Sequence, residues 1–253
     1  MLRDLTRNVN VFSRSIPVGT TRTNVTQNNL IYGNSYRITV TATVGTQNTS
    51  DIRDFRVRPS SNIRKIFIDP GHGGTDSGAT ANDMRESDIV LDVSLRLEQI
   101  LSSRGFEVMM SRRGDVTVDN NLRWQMANNW DADLFISVHA NAGGGTGVET
   151  VIPTASPNNP SRDLQESRRF AEIVSNTLAN AFGMVVRRAN GVMLETETPH
   201  GSIGVLRHTR MTAILPELAF IDSPLHNPDV DVLRNRRQEM AQALADGVRT
   251  FIS

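Results

Sequence analysis

The segment K-I-F-I-D-P-G-H-G-G, residues 65–74, constrains the fold more than any other part of the sequence. Its apolar run at residues 66–68 predicts a short buried strand. Pro70 and three glycines end that strand, because proline lacks a β-ladder donor and glycine adopts dihedral angles that are closed to other residues. His72 lies inside the resulting turn. A side chain that follows a strand in a glycine-rich loop lies where open α/β sheets bind their ligands.

From residue 63 onward, segments with a strand pattern alternate with segments of helical periodicity. This alternation predicts a three-layer αβα domain over residues 63–253, with a mainly parallel central sheet. The predicted strands cover residues 66–68, 106–110, 134–138, 147–153 and 213–221. The predicted helices cover residues 88–101, 122–129, 164–181 and 233–251. In the second of these helices, Leu122 and Met126 are predicted to face the core.

Residues 1–60 are more polar and predict a separate, small β-rich module. Residues 36–44 alternate β-branched with other residues and indicate a strand. Residues 36–57 resemble the last hairpin of a fibronectin type III module. A complete sandwich of that kind needs about 100 residues, so the module is short or a fragment. Whether it binds a ligand or only acts as a spacer stays open. Further candidate strands lie at residues 9–12, 30–32 and 55–57, and the predicted linker is residues 58–62.

Charge and composition exclude several classes of protein. The 27 basic and 27 acidic residues give a formal net charge of zero, without the basic field that nucleic-acid binders use. The absence of cysteine excludes thiolate catalysis, disulfides and cysteine-ligated zinc. No apolar run reaches the length of a transmembrane segment. The first ten residues lack the apolar core of a secretory signal, so we expect either another route of export or prior removal of a leader.

Four polar residues stand at the boundaries or in the interior of the predicted elements. His72 follows the first strand of the α/β domain, Glu86 precedes its first helix, and His139 follows the strand at residues 134–138. Glu217 interrupts the apolar strand near the C-terminus. Zinc favours imidazole nitrogen and carboxylate oxygen, and a catalytic zinc typically has three protein ligands. Two histidines and a glutamate meet that requirement.

Each of these residues also has an ordinary structural explanation. Either histidine could be a turn residue, and Glu86 could favour the positive end of a helix dipole. Glu217 is harder to explain in this way, because a carboxylate in an apolar strand costs free energy unless it is paired or lies at the open end of the strand.

Five blocks of sequence, in a fixed order, carry a resemblance to a known family. They read I-F-I-D-P-G-H-G-G, R-E-S-D-I-V-L-D, A-D-L-F-I-S-V-H-A-N, G-V-E-T, and V-L-R followed by I-L-P-E-L-A-F-I-D. Together they resemble the zinc-dependent N-acetylmuramoyl-L-alanine amidases of the amidase-3 family, over residues 63–253. Two departures are visible: Thr212 stands where the family often has proline, and Ala219 where it often has glycine. Neither departure removes a functional group.

The resemblance implies a role for each candidate residue. His72, Glu86 and His139 would bind Zn²⁺, and Glu217 would be the catalytic glutamate. Glu149, in G-V-E-T, matches an often acidic position of the family, with a structural role as the alternative. Asn141 and Arg207 could line the cleft, with a structural role as the alternative, and His200 and His208 could rim it.

The function implied by the resemblance is peptidoglycan hydrolysis. The amide bond between N-acetylmuramic acid and the L-alanine of the stem peptide would be cut by zinc-activated water with a glutamate general base. The alternatives are a non-catalytic wall-binding protein and a peptidase that cuts within the stem peptide. The enzyme would act on the cell wall, outside the cell or in the periplasm, as an autolysin or as an endolysin released by lysis, a holin or a delivery device. The link after the strand at residues 147–153 is too short for a helical lid, so we expect no need for an activator protein.

Overall fold

The computed structural model of the protein describes residues 2–4, 9–12, 35–44, 47–56, 65–155, 163–199 and 201–252. The chain divides into two compact units, Met1–Asn62 and Ile63–Ser253, and each is described by itself. Among the described residues, no helix has both the length and the apolar character needed to cross a membrane.

The first unit contains a four-stranded antiparallel sheet with the order β2-β1-β3-β4. Its strands are β1 (Leu2–Asp4), β2 (Val9–Phe12), β3 (Ser35–Val44) and β4 (Gln47–Arg56). The strands predicted at residues 9–12 and 36–44 are therefore present. β4 is much longer than the strand predicted at residues 55–57, and it pairs with β3 along the whole length of both strands. The candidate strand at residues 30–32 and the linker at residues 58–62 lie outside the described residues.

The second unit is built on a six-stranded sheet with the order β11-β10-β12-β9-β5-β8. Its strands are β5 (Lys65–Pro70), β8 (Glu107–Met110), β9 (Leu134–Asn141), β10 (Glu149–Ile152), β11 (Val192–Leu194) and β12 (Thr212–Phe220). Four of the five neighbouring pairs are parallel, and only β10 runs antiparallel to β12. The mainly parallel sheet predicted from the sequence is confirmed. A small hairpin of β6 (Thr80–Ala81) and β7 (Met84–Arg85) lies before the first helix.

Helices cover both faces of this sheet, because alternate side chains of each strand point to opposite faces. Ile66, Ile68 and their counterparts on β9 and β12 pack against the core faces of α1 (Glu86–Ser103), α3 (Leu164–Phe182), α5 (Pro228–Asn235) and α6 (Arg237–Ile252). Phe67 and Phe135 point the other way, towards α2 (Asn120–Asn129) and α4 (Gly204–Arg207). The result is the predicted three-layer αβα domain.

Several local predictions need correction. The first helix begins at Glu86 rather than after it, and β9 continues two residues beyond His139. The helix predicted at residues 233–251 is two helices, α5 and α6. In α2 the buried face carries Arg123, whereas Leu122 is 48% exposed. The prediction that Leu122 faces the core is therefore wrong, because a buried ion pair of Arg123 sets the rotation of the helix.

Candidate metal centre and active site

The candidate residues lie at one edge of the second unit's sheet, where β5, β9 and β12 end. His72 follows β5 in a turn, His139 lies near the end of β9, and Glu217 lies on β12 with His139 as its partner across the strands. In parallel strands the carboxyl ends meet at the same edge, and this edge is where open α/β sheets bind ligands. The fold thus brings together side chains that are distant in the sequence.

Two buried arginines hold the turn that carries His72. Arg112 donates to the carbonyl oxygens of Pro70 and Gly71, at 3.0 and 2.8 Å. Arg123 donates to the carbonyl oxygens of Pro70 and His72, both at 2.7 Å. Since each arginine is only 3% exposed, these bonds are shielded from water, and three successive carbonyls of the turn are fixed.

The charge of Arg123 is balanced by Asp69, the residue before Pro70. Arg123 Nη1 lies 2.8 Å from Asp69 Oδ1, and the hydroxyl groups of Ser111 and Ser137 donate to the same carboxylate at 2.6 and 2.8 Å. Asp69 is 1% exposed, so the pair is buried and fully hydrogen-bonded. This network explains how His72 can keep a positive φ of 59°, a conformation that non-glycine residues rarely adopt.

Glu86 connects the two histidines. Its Oε1 lies 3.1 Å from His72 Nε2 and 3.0 Å from His139 Nδ1, and it accepts a 3.0 Å hydrogen bond from the backbone N–H of Ala140. Its Oε2 accepts a 2.9 Å bond from the N–H of Ala79. Glu86 is the first residue of α1 and is 4% exposed, so the bonds from Ala79, just before β6, and from Ala140, on β9, hold its carboxylate in the interior.

The electrostatics of this cluster favour a negative Glu86. Burial alone would raise the pKa of Glu86, but the hydrogen bonds and charges of His139 and His72 outweigh it and hold the pKa well below its usual range. At His72, burial would lower the pKa, but the hydrogen bonds and charges of Glu86 and Asp76 outweigh it and raise it. The cluster therefore provides a buried negative charge between two imidazole rings, which is a setting for a cation.

Asp76 also belongs to the cluster, although it is not among the residues predicted from the sequence. Its Oδ2 lies 2.8 Å from His72 Nδ1, and its Oδ1 accepts a 3.0 Å bond from the N–H of Gly78. A carboxylate on the second nitrogen of a histidine fixes the tautomer and leaves the other nitrogen free to bind a metal. The available signal was an aspartate four residues after His72, within the same glycine-rich turn.

Two glycines make room for the cluster. A Cβ atom at Gly71 would lie 2.3 Å from Cε1 of His139, and one at Gly78 would lie 2.6 Å from Oε2 of Glu86. Gly78 also has a φ of +63°, which disfavours any side chain there. The close packing of these glycines leaves the imidazole rings and the carboxylate little freedom to move.

Glu217 has a different environment from Glu86. The residue is partly exposed, but its Oε2 is buried and has no hydrogen-bond partner among the residues that the structure describes. Burial is the main cause that raises the pKa of Glu217 well above its usual value, and the negative charges of Glu86 and Glu149 add to it. A carboxyl group with a raised pKa can accept and return a proton near neutral pH.

The remaining predicted cleft residues have structural partners. Asn141 Nδ2 donates to Glu149 Oε1 at 2.7 Å, and Glu149 pairs with Glu217 across β10 and β12. Arg207 Nε lies 3.5 Å from an oxygen of Glu195, which is fully buried. These placements agree with a structural role for each residue, and the prediction that they line the cleft stays a prediction. His208 lies beside Trp124, with ring centroids 5.1 Å apart, and His200 lies outside the described residues.

Residues 66–250 match the Amidase_3 family, described as N-acetylmuramoyl-L-alanine amidase. The chain is 37% identical over 190 residues to N-acetylmuramoyl-L-alanine amidase CwlM of Bacillus licheniformis, with 73% of this chain and 67% of the relative covered. It is 38% identical over 163 residues to the sporulation-specific amidase of Bacillus subtilis strain 168, where the match covers 63% of this chain and 57% of the relative. The endolysin of Bacillus phage SPP1 is 33% identical over 193 residues, with 74% and 66% covered.

Solved structures of similar proteins share the fold of the second unit. The N-acetylmuramoyl-L-alanine amidase of Clostridium difficile 630 aligns with a TM-score of 0.63 at 28% identity, over 76% of this chain and 97% of that one. The catalytic domain of CwlV from Bacillus (Paenibacillus) polymyxa var. colistinus aligns with a TM-score of 0.62 at 27% identity, over 75% and 98%. The aligned share of this chain corresponds in size to the second unit.

Proposed function

The chain belongs to the Amidase_3 family of N-acetylmuramoyl-L-alanine amidases, and from this premise we propose how its second unit acts on peptidoglycan. Residues 66–250 form an amidase domain, and its reaction is hydrolysis of the amide between N-acetylmuramic acid and L-alanine. The observation that carries the proposal is the convergence of three potential metal ligands next to Glu217. His72, Glu86 and His139 offer ligand atoms that all lie within 4.8 Å of one another.

We assign Zn²⁺ to this cluster on the chemistry and spacing of its donors. Two imidazole nitrogens and one carboxylate oxygen are a typical set of three protein ligands for a catalytic zinc. Glu86 Oε1 lies 3.1 and 3.0 Å from the two histidine nitrogens, so these three atoms are close enough together to hold one ion. Asp76 on His72 Nδ1 adds the outer carboxylate that such sites commonly use.

When bound, zinc supplies Lewis-acid chemistry, which acidifies water and polarises a carbonyl oxygen. Glu217 supplies the proton transfer. Its carboxylate takes a proton from the attacking water as the new C–O bond forms at the lactyl carbonyl, and it gives that proton to the L-alanine nitrogen as the C–N bond breaks. The products are a muramic carboxylic acid and a peptide with a free amino terminus. The raised pKa of Glu217 suits a group that must perform both steps.

The decisive experiment is the release of peptide from purified peptidoglycan. The protein is treated with a chelator, supplied again with zinc, and the soluble products are identified by mass. The proposal expects release of peptides that begin with L-alanine, lost with the chelator and restored by zinc. Peptides cut at an internal bond would instead indicate a peptidase, and binding to the wall without release would indicate a non-catalytic protein.

We further propose that the domain acts at the cell wall without an activator protein. Support comes from the connection between β10 and α3, which spans only residues 153–163 and is short for a helical lid over the site. Endolysin is the name of one relative, which supports release by lysis as one setting. Full specific activity of the purified protein alone is the expected result. A stimulation of ten-fold or more by a second protein would contradict this proposal.

A further inference from the structure

A second polar cluster lies at the same sheet edge as the candidate metal centre. At its centre is Glu149, which is 3% exposed. Its Oε1 accepts from Asn141 Nδ2 at 2.7 Å and from Arg187 Nε at 3.2 Å, and its Oε2 accepts from Arg188 Nε at 2.9 Å. One buried carboxylate therefore holds two neighbouring arginines by their Nε atoms, which leaves the terminal nitrogens of each guanidinium directed elsewhere.

The terminal nitrogens of Arg187 and Arg188 differ in their hydrogen bonding. Arg187 Nη1 donates to the carbonyl of Thr146 at 3.2 Å, and its guanidinium lies 4.7 Å from the centre of the Phe220 ring. For Arg188, no partner of Nη1 or Nη2 occurs among the described residues, and the side chain is 39% exposed. Within the described ranges, Arg188 is therefore held through Nε, and its Nη1 and Nη2 atoms are available for a ligand.

The backbone at Arg188 is held in an unfavourable conformation. Its φ of 52° and ψ of −175° fall in a region that is essentially restricted to glycine. Such a conformation persists only where the surrounding structure determines it, and it is concentrated at binding and catalytic sites. A glycine at this position would be free of strain, so the arginine side chain is present at a cost in stability.

The position of the cluster relative to Glu217 follows from the sheet. Glu149 on β10 pairs with Glu217 on β12, and Glu217 pairs with His139 on β9. Neighbouring strands lie about 4.8 Å apart, so Glu149 lies about 10 Å from the strand of His139. Arg188 Nε lies 2.9 Å from Glu149 Oε2, so its guanidinium lies on the β10 side of Glu217.

The substrate of the proposed reaction carries a free charge near the bond that is cut. The second residue of a peptidoglycan stem is a glutamate linked through its side chain, which leaves its α-carboxylate free. That carboxylate follows the scissile amide by two residues, a span of about 7 Å in an extended chain. We propose that Arg188 binds the α-carboxylate of the second stem residue end-on through Nη1 and Nη2, and so determines specificity for a non-amidated stem. The inference rests on the proposed amidase function.

The test compares two synthetic muramoyl tetrapeptides that differ only at the second residue, as an α-carboxylate or an α-carboxamide. Wild type, Arg188→Gly and the control Arg249→Ala are assayed on both, with kcat/KM as the readout. Glycine is chosen because it removes the guanidinium and relieves the backbone strain, while Arg187 still pairs with Glu149. Arg249 is an exposed arginine on α6.

Wild type and the control are expected to prefer the carboxylate substrate by about ten- to a hundred-fold, as for a hydrogen-bonded charge. Arg188→Gly should lose that preference because its kcat/KM falls on the carboxylate substrate alone. Its kcat/KM on the carboxamide substrate should stay within about three-fold of wild type. Equal rates of wild type on the two substrates, or an equal fall on both in Arg188→Gly, would overturn the inference and leave Arg188 as a support of Glu149.

Calorimetric binding of the carboxylate substrate, without turnover, separates this inference from the proposed function. It compares Glu217→Gln with Glu217→Gln/Arg188→Gly, and a ten-fold or greater weakening in the double variant is expected. Unchanged affinity would overturn the inference. If wild type releases no peptide beginning with L-alanine from either substrate, the proposed function fails, and the binding comparison then decides the role of Arg188 by itself.

Discussion

Glu86 and Glu217 lie at the same edge of one sheet, yet the fold treats their carboxylates in opposite ways. Glu86 accepts two backbone hydrogen bonds and lies beside two imidazoles, and its pKa is lowered. Glu217 has a buried Oε2 that lacks a partner within the described ranges, and its pKa is raised. The contrast teaches that one carboxylate is fixed as a permanent negative charge suited to a cation, whereas the other is left able to take up a proton.

The largest effect is expected from removal of His139, one of the proposed metal ligands beside Glu86. His139→Ala should lose bound zinc and reduce peptide release to the background of an uncatalysed control, because two protein ligands do not retain the metal tightly. Elemental analysis and the release assay measure the two losses. His226→Ala, which changes an exposed histidine, should keep both metal and activity. Stoichiometric zinc in His139→Ala would remove His139 from the ligand set.

Glu217→Gln should separate chemistry from metal binding. The amide keeps the shape of the side chain but cannot carry the proton, so kcat should fall by about 10²–10⁴-fold while zinc content stays stoichiometric. Glu107→Gln, at an exposed position on the edge strand β8, serves as the control. Nearly normal turnover of the variant would show that Glu217 is not the group that transfers the proton.

A smaller effect is expected at Asp76, which contacts the proposed ligand His72 and not the metal itself. Asp76→Asn should weaken zinc affinity by about 10–100-fold, because the amide no longer fixes the tautomer of His72 by charge. Competition with a chromogenic chelator measures the affinity. Asp131→Asn, at an exposed turn far from His72 in the sequence, should leave the affinity unchanged. Equal affinities of Asp76→Asn and wild type would mean that the turn alone orients His72.

The smallest effect concerns the stability of the metal-free protein. Because folding raises the pKa of Glu217, its contribution to stability is fully present at a pH below the ordinary glutamate value and is lost as the pH rises through the raised pKa. Glu217→Gln should therefore melt higher than wild type at pH 8, by about 2–4 °C for each kcal/mol recovered. No difference is expected at pH 4. A lower melting temperature of the variant at pH 8 would contradict a raised pKa of Glu217 in the folded protein.

The alternation of strand and helix patterns was sufficient to predict the layers of the second unit. Local signals, such as a strand that ends in glycines before His72 and a glutamate inside an apolar strand, marked candidate residues, but only the family resemblance assigned the four residues to one site. The antiparallel direction of β10 could not be predicted, because a short apolar strand carries no mark of its direction. The start of α1 at Glu86 was missed for a similar reason, since helix boundaries shift by a few residues around weak caps.

The supporting side chains were the least predictable part of the site. Arg112 and Arg123 look like surface residues in the sequence, because charged side chains are rarely buried without partners. Their burial depends on carbonyl oxygens of a turn that lies about 40–50 positions earlier, and on Asp69. Leu122 was predicted to face the core because an apolar side chain is buried more often than a charged one such as its neighbour Arg123. Arg123 is buried instead because the assembled fold supplies its hydrogen-bond partners.

The strand order has a consequence for the synthesis of this protein on the ribosome. β12 lies between β9 and β10 in the sheet, although it follows both of them in the chain. Until residues 212–220 have emerged, the nascent sheet lacks a central strand, and His139 and Glu217 cannot be brought side by side. Formation of the active site must therefore wait for contacts that are distant in sequence, which is a slow step in folding. A wall-degrading domain of this topology stays incomplete for most of its own translation.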